Sequence, residues 1–144
     1  MFTEDDVIYA YTRKQAVEDG FIVEFDSKLV KEAGFPCQVD MTRTVFDIIE
    51  PNELERSDGQ DIVGRQWDVL GLLRLRVNGW RKACEASGEK PEIPVYLRFE
   101  TIFWMKRPEH RNNRRGHVTV QFKAALGADF DGTPTITVML PNED

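Results

Sequence analysis

Seven apolar residues, Val63, Trp67, Leu70, Leu73, Val77, Trp80 and Cys84, recur at alternating steps of four and three along one stretch of the chain. Only an α-helix brings residues at that spacing onto a single stripe. The spacing predicts a helix from near Ser57 or Asp58 to about Ala86, the longest element and the one against which everything else must pack. Ile62, Val69, Leu72 and Leu75 widen the stripe, so burial along much of its length is expected. Gly64 and Gly71, seven residues apart, each cost about 1 kcal/mol against alanine in a helix, which another backbone approaching closely there would justify.

The sequence beyond this helix has the period of strands. From Ile93, "IPVYLRFETIFWM" sets Ile93, Val95, Leu97, Phe99, Thr101, Phe103 and Met105 against Tyr96, Arg98, Glu100, Ile102 and Trp104. "HVTVQFKAALG" aligns Val118, Val120, Phe122 and Ala124, and "TITVML" aligns Ile136, Val138 and Leu140. "DFDG", Asp129 to Gly132, supplies the turn residues between the last two strands. Ahead of the long helix the chain reads as short helices: Thr12 with Gln15 forms a capping box closed by Gly20, Ser27 opens "SKLVKEAG", and Thr42 caps "TRTVFDIIE" before Pro51. "FIVEF" between the first two is strand-like, and "NELERSDGQD" reads as a surface loop. The fold expected is α+β, a C-terminal three-stranded antiparallel meander packed on one long helix with short N-terminal helices, forming one domain over residues 1–144.

Nine Phe and three Trp among 41% apolar residues supply a core that needs neither metal nor disulfide at this length. No apolar run reaches the roughly 20 residues of a membrane span, and the acidic start "MFTEDDVIYAYTRKQ" is unlike a signal peptide. A cytoplasmic protein without membrane contact is the expectation. Cys37 and Cys84 stand far apart beside apolar neighbours and are read as packing residues. The net charge of −6 argues against indiscriminate nucleic-acid binding. Charge is unevenly spread, with 15 acids and 6 bases over residues 1–61 but 13 bases and 6 acids over residues 65–123.

The densest potential chemistry lies in "KRPEHRNNRRGH", residues 106–117, between the first two meander strands. Lys106, Arg107, Arg111, Arg114 and Arg115 form a basic loop able to grip phosphates, or a hairpin tip kept soluble by its charge. Glu109, His110 and His117 do not make a metal site, because seven residues and a ring of arginines separate and surround the histidines. "DFDG" lacks the further oxygen ligands of a calcium loop. No nucleophile elbow, phosphate loop, dinucleotide glycine pattern or H-E-x-x-H is present, so neither a catalytic residue nor a cofactor is assigned. The outer sheet face combines Tyr96, Ile102, Trp104 and Met139 with Arg98, Gln121, Lys123, Thr119, Thr135 and Thr137, a mixture suited to a protein interface unless the N-terminal helices cover it.

Four stretches, "YTRKQAVEDGFIVEF" (Tyr11 to Phe25), "KEAGFPCQVDMTRTVFD" (Lys31 to Asp47), "GRQWDVLGLLR" (Gly64 to Arg74) and "PTITVMLPNED" (Pro134 to Asp144), resemble an uncharacterised family of small proteins found on plasmids, phages and other mobile elements. The resemblance implies action by binding, many such accessory proteins countering host defence. It makes a non-enzymatic inhibitor of a host defence complex the leading expectation, with a host protein or complex as partner and a homodimer as assembly. Glu4, Asp5, Asp6, Glu18, Asp19, Glu24 and Asp26 would then offer carboxylates where phosphates go. The binding residues expected are Lys106, Arg107, Arg111, Arg114 and Arg115 in the loop with Tyr96, Arg98 and Trp104 on the sheet. The alternative is a nucleic-acid or nucleotide binder that uses the basic loop.

Overall fold

The computed structural model describes residues 13–110, 116–128 and 132–143. Among these, the elements in chain order are helix α1 (Arg13–Glu18), strand β1 (Ile22–Glu24), α2 (Ser27–Glu32), β2 (Val39–Thr42), α3 (Arg43–Ile49), α4 (Glu53–Ser57), α5 (Ile62–Ser87), β3 (Val95–Trp104), β4 (His117–Ala128) and β5 (Pro134–Met139). The α+β class is as expected. The meander is there, with β3 antiparallel to β4 and β4 to β5, but it is part of a larger sheet. That sheet has five strands in the order β1-β2-β5-β4-β3, and it is mixed because β2 runs parallel to β5. The expectation of three strands missed β2, whose four residues carry Asp40 amid the apolar positions and too short a run for a period to show.

Registers follow the alternation. Leu97, Phe103, Phe122, Ala124, Ile136 and Val138 are buried on the inner face, joined by Val39 and Met41 of β2. Phe103 faces Val118, which sets the ends of the loop between β3 and β4, and the Met105 N–H bonds to the Gly116 carbonyl. Tyr96 and Ile102 stand exposed on the opposite face. Met139 shares that face by register, yet it is buried, so the outer face is open toward β3 and closed toward β5.

Capping residues set the helix boundaries. Thr42 caps α3 through the Val45 N–H as expected, and α3 ends at Glu50, just before Pro51. Asp26, one residue before Ser27, caps α2 by accepting from Lys28 and Leu29. Gly20 and Gly34 take the left-handed conformation after α1 and α2. Thr12 and Asp129 to Asp131 lie outside the described residues. The polar run from Asn52 is not a loop throughout. Asn52 and Glu55 make a reciprocal capping box that starts α4, and α5 begins at Ile62, capped by Asp61.

The stripe on α5 also needs correction. Val69, Leu70, Leu73 and Val77 face the core, but in the first turns the buried positions are Arg65 and Gln66, while Val63 and Trp67 are exposed. Neither glycine meets another backbone among the described residues. A Cβ on Gly71 would have nothing within 4 Å, and one on Gly64 would meet only the carboxylate of Asp61.

Candidate functional site

Among the described residues strand β3 pairs with β4 alone and forms an edge of the sheet. Along an antiparallel strand the N–H and C=O of each residue point to the same side, and the side alternates from residue to residue. Arg76 of α5 donates from Nε to the Arg98 carbonyl at 3.0 Å, and Arg65 donates from Nη2 to the Trp104 carbonyl. Even-numbered residues of β3 therefore present their backbone groups outward. Between the two capped carbonyls lie the amides and carbonyls of Glu100 and Ile102 and the amide of Trp104, for which no partner is found among the described residues. A stretch of open edge is a template for another strand.

Beside this edge runs the second apolar side of α5. Trp67, Gly71 and Leu75 recur every four residues, with Asp68 and Leu72 alongside, and together with Glu100, Thr101 and Ile102 they line an open groove of about 620 Å³. Leu75 is 69% exposed, Ile102 64% and Trp67 44%. Gly71 leaves the groove unfilled at its middle, since a side chain there would extend into it. Large apolar groups contiguous with an open sheet edge are what a protein-binding surface presents.

The lower end of β3 is held by a buried ionic cluster. Glu55 is fully buried, and its Oε1 accepts from the Asn52 N–H at 3.0 Å and from Arg65 Nη1 at 3.3 Å. Its Oε2 accepts from the Lys106 N–H at 2.8 Å and Arg107 Nε at 3.4 Å. Arg65, 1% exposed, also donates to the Ile49 carbonyl and lies over the Phe103 ring. Arg107 reaches the carbonyls of Asp47, Ile48 and Glu50 at the end of α3. Burial pushes the Glu55 carboxyl up in pKa, but the backbone donors of Asn52 and Lys106 and the Arg107 guanidinium outweigh it and hold the group below its ordinary value. Burial lowers Arg65 against the opposing pull of Glu55. Three helix ends and β3 meet in this cluster. It is a brace for the edge.

The expected binding residues divide into three groups. Lys106 pairs through Nζ with Asp58 at 2.9 Å and lies over the Trp104 ring, and Arg107 is committed to the brace. Arg111, Arg114 and Arg115 lie outside the described residues. Arg98 and Tyr96 are on the exposed outer face, where Lys123 sits over the Tyr96 ring. Trp104 is only partly open. Its indole Nε1 donates to Asp58 at 3.0 Å, and its ring meets the edge of His117. Lys106 first, then Trp104, hold the Asp58 carboxyl below its ordinary pKa by hydrogen bonding. Of the acids expected to form a mimic face, Glu18, Asp19, Glu24 and Asp26 are exposed, with Asp26 spent on capping α2, and Glu4, Asp5 and Asp6 lie outside the described residues.

Sequence reasoning placed Trp67, Leu72 and Leu75 in the core and so missed them as surface residues. The signal available was the breadth of the apolar pattern. A helix with apolar residues on two sides has one side to spare. No family model, curated protein or solved structure matches the chain.

Proposed function

We propose that this chain is a non-enzymatic protein-binding protein whose contact surface is the open segment of β3 with the α5 flank beside it. The observation that carries the proposal is the coincidence of backbone groups at Glu100 and Ile102 that have no partner among the described residues with exposed Trp67, Leu72, Leu75 and Ile102 around one groove. An extended segment of a partner adds to the edge through main-chain hydrogen bonds, and its alternate side chains enter the groove. The mobile-element setting suggested by the sequence motifs adds that the partner belongs to a host defence complex, which the chain inhibits by occupying it. The nucleic-acid alternative has less to support it, because Lys106 and Arg107 already serve intramolecular partners.

Photo-crosslinking in cells tests the proposal. p-Benzoylphenylalanine placed at Ile102 is expected to capture a discrete protein that the same group at Glu85, on an exposed part of α5 away from the groove, does not. Equal capture at both positions, or none at Ile102, overturns it.

A further inference from the structure

A cavity of about 220 Å³ opens on a different flank of α5 and shares no lining residue with the groove beside β3. It arises where one strand stops short of its neighbours. Strand β2 starts at Val39, opposite Ile136, whereas β4 and β5 stay paired as far as Ala128 and Pro134, and α5 runs on from Val77 to Ser87. The strip that β2 does not cover is left open between the helix, the ends of β4 and β5, and the loop from Phe35 to Cys37. Core residues Phe35, Val77 and Ile136 line it, as do the half-buried Trp80 and Leu126.

This apolar lining carries positive charge and no negative charge. Arg74 and Arg81, seven residues apart and so on one side of α5, both line the cavity, whereas among the described residues no Asp or Glu does. Arg74 is partly committed. Its Nη1 donates to the Gly34 carbonyl, and its guanidinium lies 5.9 Å from the centre of the Phe35 ring, which fastens the loop wall to the helix. Arg81 is exposed and has neither a hydrogen bond nor an ion pair among the described residues. Cys37 adds no charge at neutral pH, because burial foremost, and the Asp40 charge with it, push its thiol up.

We infer that this cavity binds a small aromatic carboxylate, its ring against Val77, Trp80 and Leu126 and its carboxylate on Arg81, with Arg74 adding positive charge. Size sets the body of the ligand. An apolar cavity of about 150 Å³ takes up benzene, so this one holds a single ring with a short acid arm. Charge sets the head. One guanidinium is free, and its planar fork matches a carboxylate through two parallel hydrogen bonds. Helix α5 meets the cavity with interior turns, so its N-terminus adds none of the amide donors that a dianionic phosphate draws on. An apolar pocket with a few convergent polar groups is the usual form of a small-molecule site. The inference stands apart from the proposed protein contact, which lies on the other flank of the helix.

Hydrocinnamate is the probe, with its uncharged amide and benzylphosphonate for comparison, and the readout is the set of indole N–H resonances of the isotope-labelled full chain. Trp67→Phe, Trp80→Phe and Trp104→Phe assign the three signals. The acid is expected to move the Trp80 signal and to leave that of Trp67, in the other groove, in place. The amide is expected to bind about tenfold more weakly, as loss of a charge-assisted pair requires. Arg81→Gln, at an exposed position, is expected to weaken the acid to the level of the amide without altering the amide, and Leu75→Glu on the other flank to change neither. A Trp80 signal that stays fixed up to about 10 mM acid, where a ligand with a dissociation constant of about 1 mM is nearly saturating, overturns the inference. Equal binding of acid and amide, an Arg81→Gln variant that keeps the preference for the acid, or tighter binding of benzylphosphonate than of the carboxylate also overturns it.

Discussion

Glu55→Gln keeps the shape of the brace and removes its charge. The carboxylate accepts five hydrogen bonds from Asn52, Arg65, Lys106 and Arg107, using both oxygens. A carboxamide keeps one acceptor oxygen and turns an NH2 group toward the other set of donors. At least one backbone amide, that of Asn52 or Lys106, is then left without a partner, at about 1–3 kcal/mol. Arg65, nearly wholly buried, also loses its counter-charge, and removing one member of a buried pair costs about 3–5 kcal/mol. These two costs overlap, so a loss of about 4 kcal/mol is expected, a large share of the roughly 5–15 kcal/mol that holds an ordinary domain. With a urea slope of about 2 kcal/mol per molar, the unfolding midpoint falls by about 2 M. The double variant with Arg65→Met should lose clearly less than the sum of the two single losses, because the residues act as a pair. Acid provides a second check on the same group. A carboxyl held below its ordinary pKa in the folded state contributes stability that is present above about pH 4.3, and that stability is lost as pH falls through the lower folded value. Wild type and Glu55→Gln should therefore converge as the solution is acidified. A loss below about 1 kcal/mol at neutral pH, strict additivity with Arg65→Met, or a gap between the two proteins that persists into strong acid would refute the brace as described.

Gly116→Ala should destabilise by about 3 kcal/mol, lowering the melting temperature by roughly 10 °C, because the residue is left-handed with φ 78° and its new Cβ would sit 2.7 Å from the Trp104 ring. An unchanged melting curve contradicts this. Burial foremost, and the Asp40 charge with it, push the Cys37 thiol up, so its alkylation by iodoacetamide should be slow at pH 8 and accelerate only well above that pH, as peptide mapping over time can follow. Leu75→Glu lies on an exposed flank and should change urea stability by no more than about 0.5 kcal/mol while reducing cross-linking at position 102. Arg76→Ala uncovers the Arg98 carbonyl and lengthens the open edge, so turbidity on heating should increase with little change in the unfolding midpoint.

The parts of the fold that could be read from the chain are those set by local rules. Strands β3, β4 and β5 announce themselves through runs of 10, 12 and 6 alternating residues, and their inner and outer faces are as the alternation requires. Thr42, Gly20 and Gly34 mark helix ends because capping and the left-handed turn are properties of single residues. Strand β2 could not be read, since four residues pairing with β5 from more than 90 positions away leave no periodic trace. Nor could the polar run at Asn52 be told from a loop. Its helix depends on Glu55 being buried, and that burial depends on arginines 10 and 52 residues further on.

By itself the sequence determined that α5 would exist and that it would be apolar beyond one stripe. It did not determine which side faces the core. Both sides carry leucines, and the choice fell to Arg65: its guanidinium bonds Glu55, Ile49 and Trp104 only when turned inward, and that rotation carries Val63 and Trp67 out to solvent. The same contact, with Arg76 at the other end, caps two carbonyls of β3, so a segment that reads as plain alternation became an edge whose backbone groups at Glu100 and Ile102 have no partner among the described residues. Local pattern sets which elements form, whereas the exposure of an edge depends on what the rest of the chain fails to cover.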